Sequence, residues 1–171
     1  MKFCRLPIAA LAVFSLLPVL ARAAQGPATA PGANNPDLAE ARNYTLTMDK
    51  LNKLADATDA VNKLLASDAA LKAKVNASNN DKLTLDQQSK AMDASFPQVA
   101  AVIHAHGITS REYILISVAF INDVTYVGLK RQGMIQTYPP NSITPQNAAF
   151  VESNWDKIQA INKRLTPQDQ N

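Results

Sequence analysis

The sequence predicts an all-α fold, a small bundle of about five helices packed around one central apolar helix near residues 110–132. Three observations carry this. Apolar residues between Met48 and Leu65 recur at spacings of three and four. Three separate segments open with the same threonine-led start. Tyr113 to Ile121 is apolar except for Ser117, enough to form the interior face of a bundle. No segment shows the strict alternation of a half-buried strand, and no period of roughly 20–50 residues marks a solenoid.

In chain order, Met48, Leu51, Leu54, Thr58, Val61 and Leu65 form one stripe, with Asp49, Lys50, Lys53, Asp56, Asp59 and Lys63 on the opposite face. Thr47 is placed to cap this helix. The residues before it, Tyr44 and Leu46, fit an extended segment or a first turn equally well. A short helix follows from Asp68 with Leu71 and Val75 on one side, and the polar run Asn76–Lys82 reads as a loop. Leu83-Thr84-Leu85-Asp86-Gln87, Ile108-Thr109-Ser110-Arg111-Glu112 and Ile143-Thr144-Pro145-Gln146-Asn147 open three further helices. In each, the threonine hydroxyl can accept a free N–H of the first turn. Gln87 and Glu112 can complete capping boxes, and Pro145 suits the first helical position.

Phe96-Pro97 interrupts the chain, and a short helix through Val99, Val102 and Ile103 should stop at Gly107. The central helix runs from Ser110 to about Gln132, stopped by Gly133. At 100 degrees per residue, Glu112, Asp123 and Lys130 share a narrow polar face, while Phe120, Ile121, Val124, Val127 and Leu129 fill the apolar arc. Ser117 and Gly128 permit close approach. The last helix is expected from Pro145 to about Arg164, with Phe150, Ile158, Ile161 and Leu165 inward and Trp155 partly buried. Asn141, Asn147 and Asn154 cluster around its start, where turns and caps are the ordinary use of asparagine.

The first 23 residues have the pattern of a Sec-type signal peptide. Lys2 and Arg5 precede an apolar run, Leu6 to Leu20, broken by Pro7, Ser15 and Pro18, and Ala21-Arg22-Ala23 supplies the small residues a signal peptidase reads. Cleavage is expected between Ala23 and Ala24, giving a periplasmic or secreted protein. The apolar run is shorter than the roughly 20 residues a span requires, so no stable membrane span is expected after cleavage. Cys4 lies before the run, which argues against lipidation. Residues 24–36, rich in Ala, Pro, Gly and Asn, read as a disordered leader, and residues 37–171 as one helical domain.

Removal of that segment changes the chemistry. The chain has 17 Lys+Arg and 14 Asp+Glu, and loss of Lys2, Arg5 and Arg22 leaves 14 of each. A neutral domain is not expected to bind nucleic acid, which depends on clustered basic residues. The single cysteine leaves too, and with it disulfides, thiolate ligands and thiol nucleophiles.

The one metal-like pattern is His104-x-His106, with Glu112 nearby. Residues two apart on a helix point about 200 degrees from each other, so the pair converges only if the helix ends before His104. Histidines at a helix end, where positive charge suits the dipole, are the plainer reading. No catalytic residue and no cofactor is assigned. G-x-S-x-G, S-x-x-K and C-x-x-C-H are absent, and five glycines form no phosphate loop.

Two resemblances add to this. Leu83-Thr84-Leu85-Asp86-Gln87 resembles the LTxxQ motif of small periplasmic helical stress chaperones, which implies an exported helical protein that binds unfolded chains. The two later starts depart from it, with Ile for Leu and Glu or Asn for Gln. The segment Phe96–Phe150, with Gly-Ile-Thr-Ser-Arg-Glu-Tyr at 107–113 and Asn-Ala-Ala-Phe-Val at 147–151, looks like small uncharacterised exported bacterial proteins, which implies no particular activity. The expected function is that of an exported, non-enzymatic binding or interaction protein of the cell envelope. Its partner would be an envelope protein or a small apolar ligand. The alternatives are a holdase-type chaperone, and a metal protein or enzyme centred on His104 and His106.

Overall fold

A computed structural model of the chain describes residues 36–78 and 83–166. The signal segment, the leader as far as residue 35, residues 79–82 at the end of the expected 76–82 loop and the last five residues lie outside the described residues. The described residues form eight α-helices and no strand: α1 (Pro36–Asn43), α2 (Met48–Ser67), α3 (Ala69–Ala77), α4 (Leu85–Ser95), α5 (Pro97–Ala105), α6 (Ser110–Arg131), α7 (Pro145–Ser153) and α8 (Trp155–Leu165).

The central helix is α6, against which α1, α2, α4, α5 and α7 all pack, while α8 lies on α2 and α7. By length and composition α6 is the one described helix able to cross a bilayer. Here its stretch from Ile114 to Phe120 is buried by its neighbours. Ile116, Phe120 and Val127 of α6 are fully covered, together with Leu51 and Leu54 of α2, Ile103 of α5, Val151 of α7 and Ile158 of α8. Burying each such side chain contributes about 1.5–3 kcal/mol relative to exposure.

The helix starts follow from local hydrogen bonding. Thr47, Thr84, Thr109 and Thr144 each accept the N–H three residues on, and Asp68 does the same for α3. At Thr84 the box is complete, because Gln87 Oε1 accepts the Thr84 N–H at 3.0 Å. Gly133 (φ +73°) stops α6: its N–H reaches the Lys130 carbonyl and that of Met134 reaches Leu129, a Schellman closure that only a left-handed residue permits.

Four expectations are corrected. The leader was expected to extend to residue 36, but Pro36 already opens α1. That helix is held from outside, where Arg111 of α6 grips Glu40 with two bonds of 2.8 Å and Asp86 of α4 with a third. The long last helix is two helices. Asn154 turns out of helical geometry (φ −114°, ψ 20°) while its backbone and side-chain N–H groups both donate to the Phe150 carbonyl. The bundle accordingly has eight described helices rather than about five. Asp123, placed on the polar face of the central helix, is 0% exposed, because α7 and the connection before it cover that face.

Candidate functional site

His104 and Ser110 face each other across the turn that joins α5 to α6. Gly107 (φ +74°) ends α5, and the chain reverses so that His104 Nε2 lies 3.3 Å from Ser110 Oγ. Asp93 of α4 completes the group. Ser110 Oγ donates to Asp93 Oδ1 at 2.5 Å, and His104 Nε2 is 3.9 Å from the same oxygen. A serine, an imidazole and a carboxylate are thus together, but not in the order nucleophilic catalysis needs. There the imidazole stands between the other two, receiving the hydroxyl proton on one nitrogen and holding the carboxylate with the other. Here serine and carboxylate share one nitrogen and bond each other directly, and Ser110 is 1% exposed. The arrangement fastens α4 to the α5–α6 turn. Asp93 had no sequence signal, since nothing in its spacing links it to His104.

His106 is the C-terminal cap of α5, consistent with a helix-end histidine. Glu112 does not join the histidines. Thr109 Oγ1 accepts the Glu112 N–H at 3.1 Å, but the carboxylate turns to Tyr44, whose hydroxyl donates to Oε1 at 3.1 Å. The capping box expected here is therefore half formed. Burial and this carboxylate hold the Tyr44 phenol well above its usual range. Among the described residues no group of three or more His, Cys, Asp or Glu converges as metal ligands, so His104, His106 and Glu112 do not make one set.

The densest buried polar cluster was not anticipated. Asp123 Oδ1 accepts from Asn122 Nδ2 at 2.9 Å, and Oδ2 accepts from Asn147 Nδ2 at 2.7 Å. Each amide nitrogen uses its second hydrogen on a covering segment: Asn122 on the Ser142 carbonyl (2.7 Å) and Asn147 on the Tyr44 carbonyl (2.8 Å). Asn147 Oδ1 also accepts the buried Leu46 N–H at 3.2 Å. One carboxylate thereby holds α6, the start of α7, the α1–α2 linker and the turn at residues 139–142. Burial pushes the Asp123 carboxyl up to about 6, against the opposing pull of the two amides.

That turn belongs to the α6–α7 connection, residues 132–144, which displays the largest exposed apolar side chain among the described residues, Met134, 68% exposed. The connection has fixed points along its length. The Gly133 closure sets its start, the Ser142 N–H bonds the Pro139 carbonyl, and Arg42 donates to the Asn141 carbonyl at 2.6 Å. Tyr138 donates to Glu152 at 2.7 Å, and Lys130 lies 4.6 Å above its ring while bonding the same carboxylate. Alongside, Arg131 stacks 4.9 Å from the Trp155 ring. The connection thus displays an exposed methionine and carries Tyr138, one of two aromatic rings that meet cations from the end of α6, and aromatic, Met and Arg side chains are the ones enriched in protein interfaces.

Comparison with family models, with curated proteins and with solved structures gives no match.

Proposed function

We propose that this chain is an exported, non-enzymatic helical binding protein of the cell envelope, and that the α6–α7 connection is its contact surface. The observation that carries this reading is the display of Met134 from a connection tied at several points along its length. Connections this long inside a compact domain are uncommon and are often functional. A contact loop already held in place loses less entropy on binding than a loose one. The Ser110 geometry favours binding over hydrolysis, since its hydroxyl is covered and bonded to Asp93. The holdase alternative draws its support from the Leu83–Gln87 pattern, and Thr84 and Gln87 are both engaged in capping α4. Export rests on the pattern of residues 1–23.

Two measurements test the proposal. N-terminal sequencing of protein recovered from the envelope or medium should begin at Ala24; a product retaining Met1 in the cytoplasm rejects export. A photo-crosslinking residue at Met134 should give a discrete adduct in expressing cells, while the same residue at exposed Lys157 of α8 should not. Absence of an adduct at 134, or identical products from both positions, rejects the surface.

A further inference from the structure

A buried carboxylate held only by neutral amides has two protonation states with different hydrogen-bonding needs. Ionised, Asp123 offers acceptors to both Asn122 and Asn147, as observed. Protonated, it carries a hydroxyl that must itself donate, and one of the two amides then faces a donor. Asn147 is poorly placed to adapt, because turning its amide would give up both the Leu46 N–H and the Tyr44 carbonyl. Asn122 is better placed. It is half-buried, and among the described residues its Oδ1 carries no hydrogen bond comparable to that of Asn147 to Leu46.

We infer that Asp123, Asn122 and Ser142 form a proton-operated latch on the α6–α7 connection. When Asp123 takes up a proton, the Asn122 amide turns, its Oδ1 accepts the new carboxyl proton, and its N–H group lets go of the Ser142 carbonyl. Asn147 keeps the α1–α2 linker in place throughout. The turn at 139–142 is thereby freed on one side while the bundle stays closed. The proton comes from solvent and no other bond changes. The latch goes beyond the binding proposal and does not depend on what the connection contacts.

The following charged groups on the surrounding elements are engaged with partners other than Asp123. Arg42 of α1 bonds the Leu38 and Asn141 carbonyls, and Tyr44 of the linker bonds Glu112 of α6. Glu152 of α7 bonds Lys130 of α6 and Tyr138 of the connection. On α2, Asp56 and Asp59 pair with Arg164, Asp49 pairs with Lys53, and Lys50 bonds the Thr45 carbonyl. On α4 and α5, Asp86 pairs with Arg111, and Asp93 and His104 meet at Ser110. The partners of Asp123 are the two amides, and with burial its carboxyl titrates near 6, inside an accessible pH range.

The test is an NMR titration of labelled protein from about pH 4.5 to about pH 8, following the Asp123 carboxyl carbon, the Asn122 side-chain amide and the Ile143 backbone N–H. The Ile143 N–H shares its peptide group with the Ser142 carbonyl. All three signals should move together with one midpoint. In Asn122→Ala the carboxyl should still titrate while Ile143 no longer follows. In Asp123→Asn, Ile143 should sit at its acid position at every pH. A carboxyl that does not titrate across this range overturns the latch, as does a carboxyl that titrates while Ile143 in the unmodified protein stays still. Both readings come from the unmodified protein, so they decide the matter even if a variant fails to fold.

Discussion

Asn147 is the residue with the most to lose. Its 1% exposure and its bonds to Leu46, Tyr44 and Asp123 mean that truncation leaves a buried N–H, a carbonyl and a carboxylate oxygen without their partner. Each such orphan costs about 1–3 kcal/mol, so Asn147→Ala should lose on the order of 3 kcal/mol in urea denaturation. Asp123 has the opposite pH behaviour to a salt-bridged carboxylate. Its folded-state value of about 6 lies above its ordinary 3.8, so between these values the folded protein holds a proton that the unfolded chain has released. This contribution is complete below the unfolded value and is lost as pH rises through the folded one. Stability from this group should therefore fall by on the order of 3 kcal/mol between about pH 4 and pH 7. Asp123→Asn should flatten that part of the stability–pH curve; an unchanged slope would remove Asp123 as its source. Gly128 offers a change of the other sign. A Cβ there would meet Trp155 at 3.6 Å, an ordinary contact, in the last turn of α6. Gly128→Ala should raise the stability by about 0.5–1 kcal/mol, visible as a higher Tm.

At the scale of elements, α2, α4, α5 and α6 were legible because the sequence carries both their periods and their ends. Thr84 shows the strength of that signal: both bonds of its capping box are formed, and Thr84→Ala should cost about 1 kcal/mol. A loss below about 0.3 kcal/mol would show that α4 is held by packing alone. Helix α1 was harder to read, since Pro36–Asn43 has one large apolar residue, Leu38, and is fixed by Arg111 from far along the chain. The break between α7 and α8 was hidden because asparagine inside an otherwise helical pattern gives no stop signal comparable to Gly or Pro. The polar clusters were least legible. A helical projection sorts residues by polarity but cannot say what covers them, so Asp123 read as solvated. The nearest hint was the excess of asparagines around α7, of which Asn147 proved to be both part of the Thr144 cap and the hub of the clasp. The histidines were visible, but the serine and aspartate partners of His104 emerge only when α4, α5 and α6 meet.

At the scale of the whole molecule, the ends of the fold are tied to its middle by contacts remote in sequence. Arg164 of α8 bonds Asp56 and Asp59 of α2, and Arg42 of α1 reaches Asn141. Exposed pairs of this kind contribute about 0–1 kcal/mol each, so cohesion rests on the shared apolar interior around α6. The Asn147 clasp has a further consequence, one of timing. The Leu46–Asn147 bond joins residues 101 positions apart, and it needs α6 and α7 already in place around Asp123. Such a bond should be absent from the folding transition state, which forms first where contacts are local. Asn147→Ala should therefore leave the refolding rate nearly unchanged and speed unfolding on the order of a hundredfold, measured by stopped-flow chevron analysis. Slowed refolding would instead place the clasp in the nucleus. With the expected result, the buried asparagine acts as a brake on escape from the native state, setting the lifetime of the folded protein while leaving the time taken to reach it almost untouched.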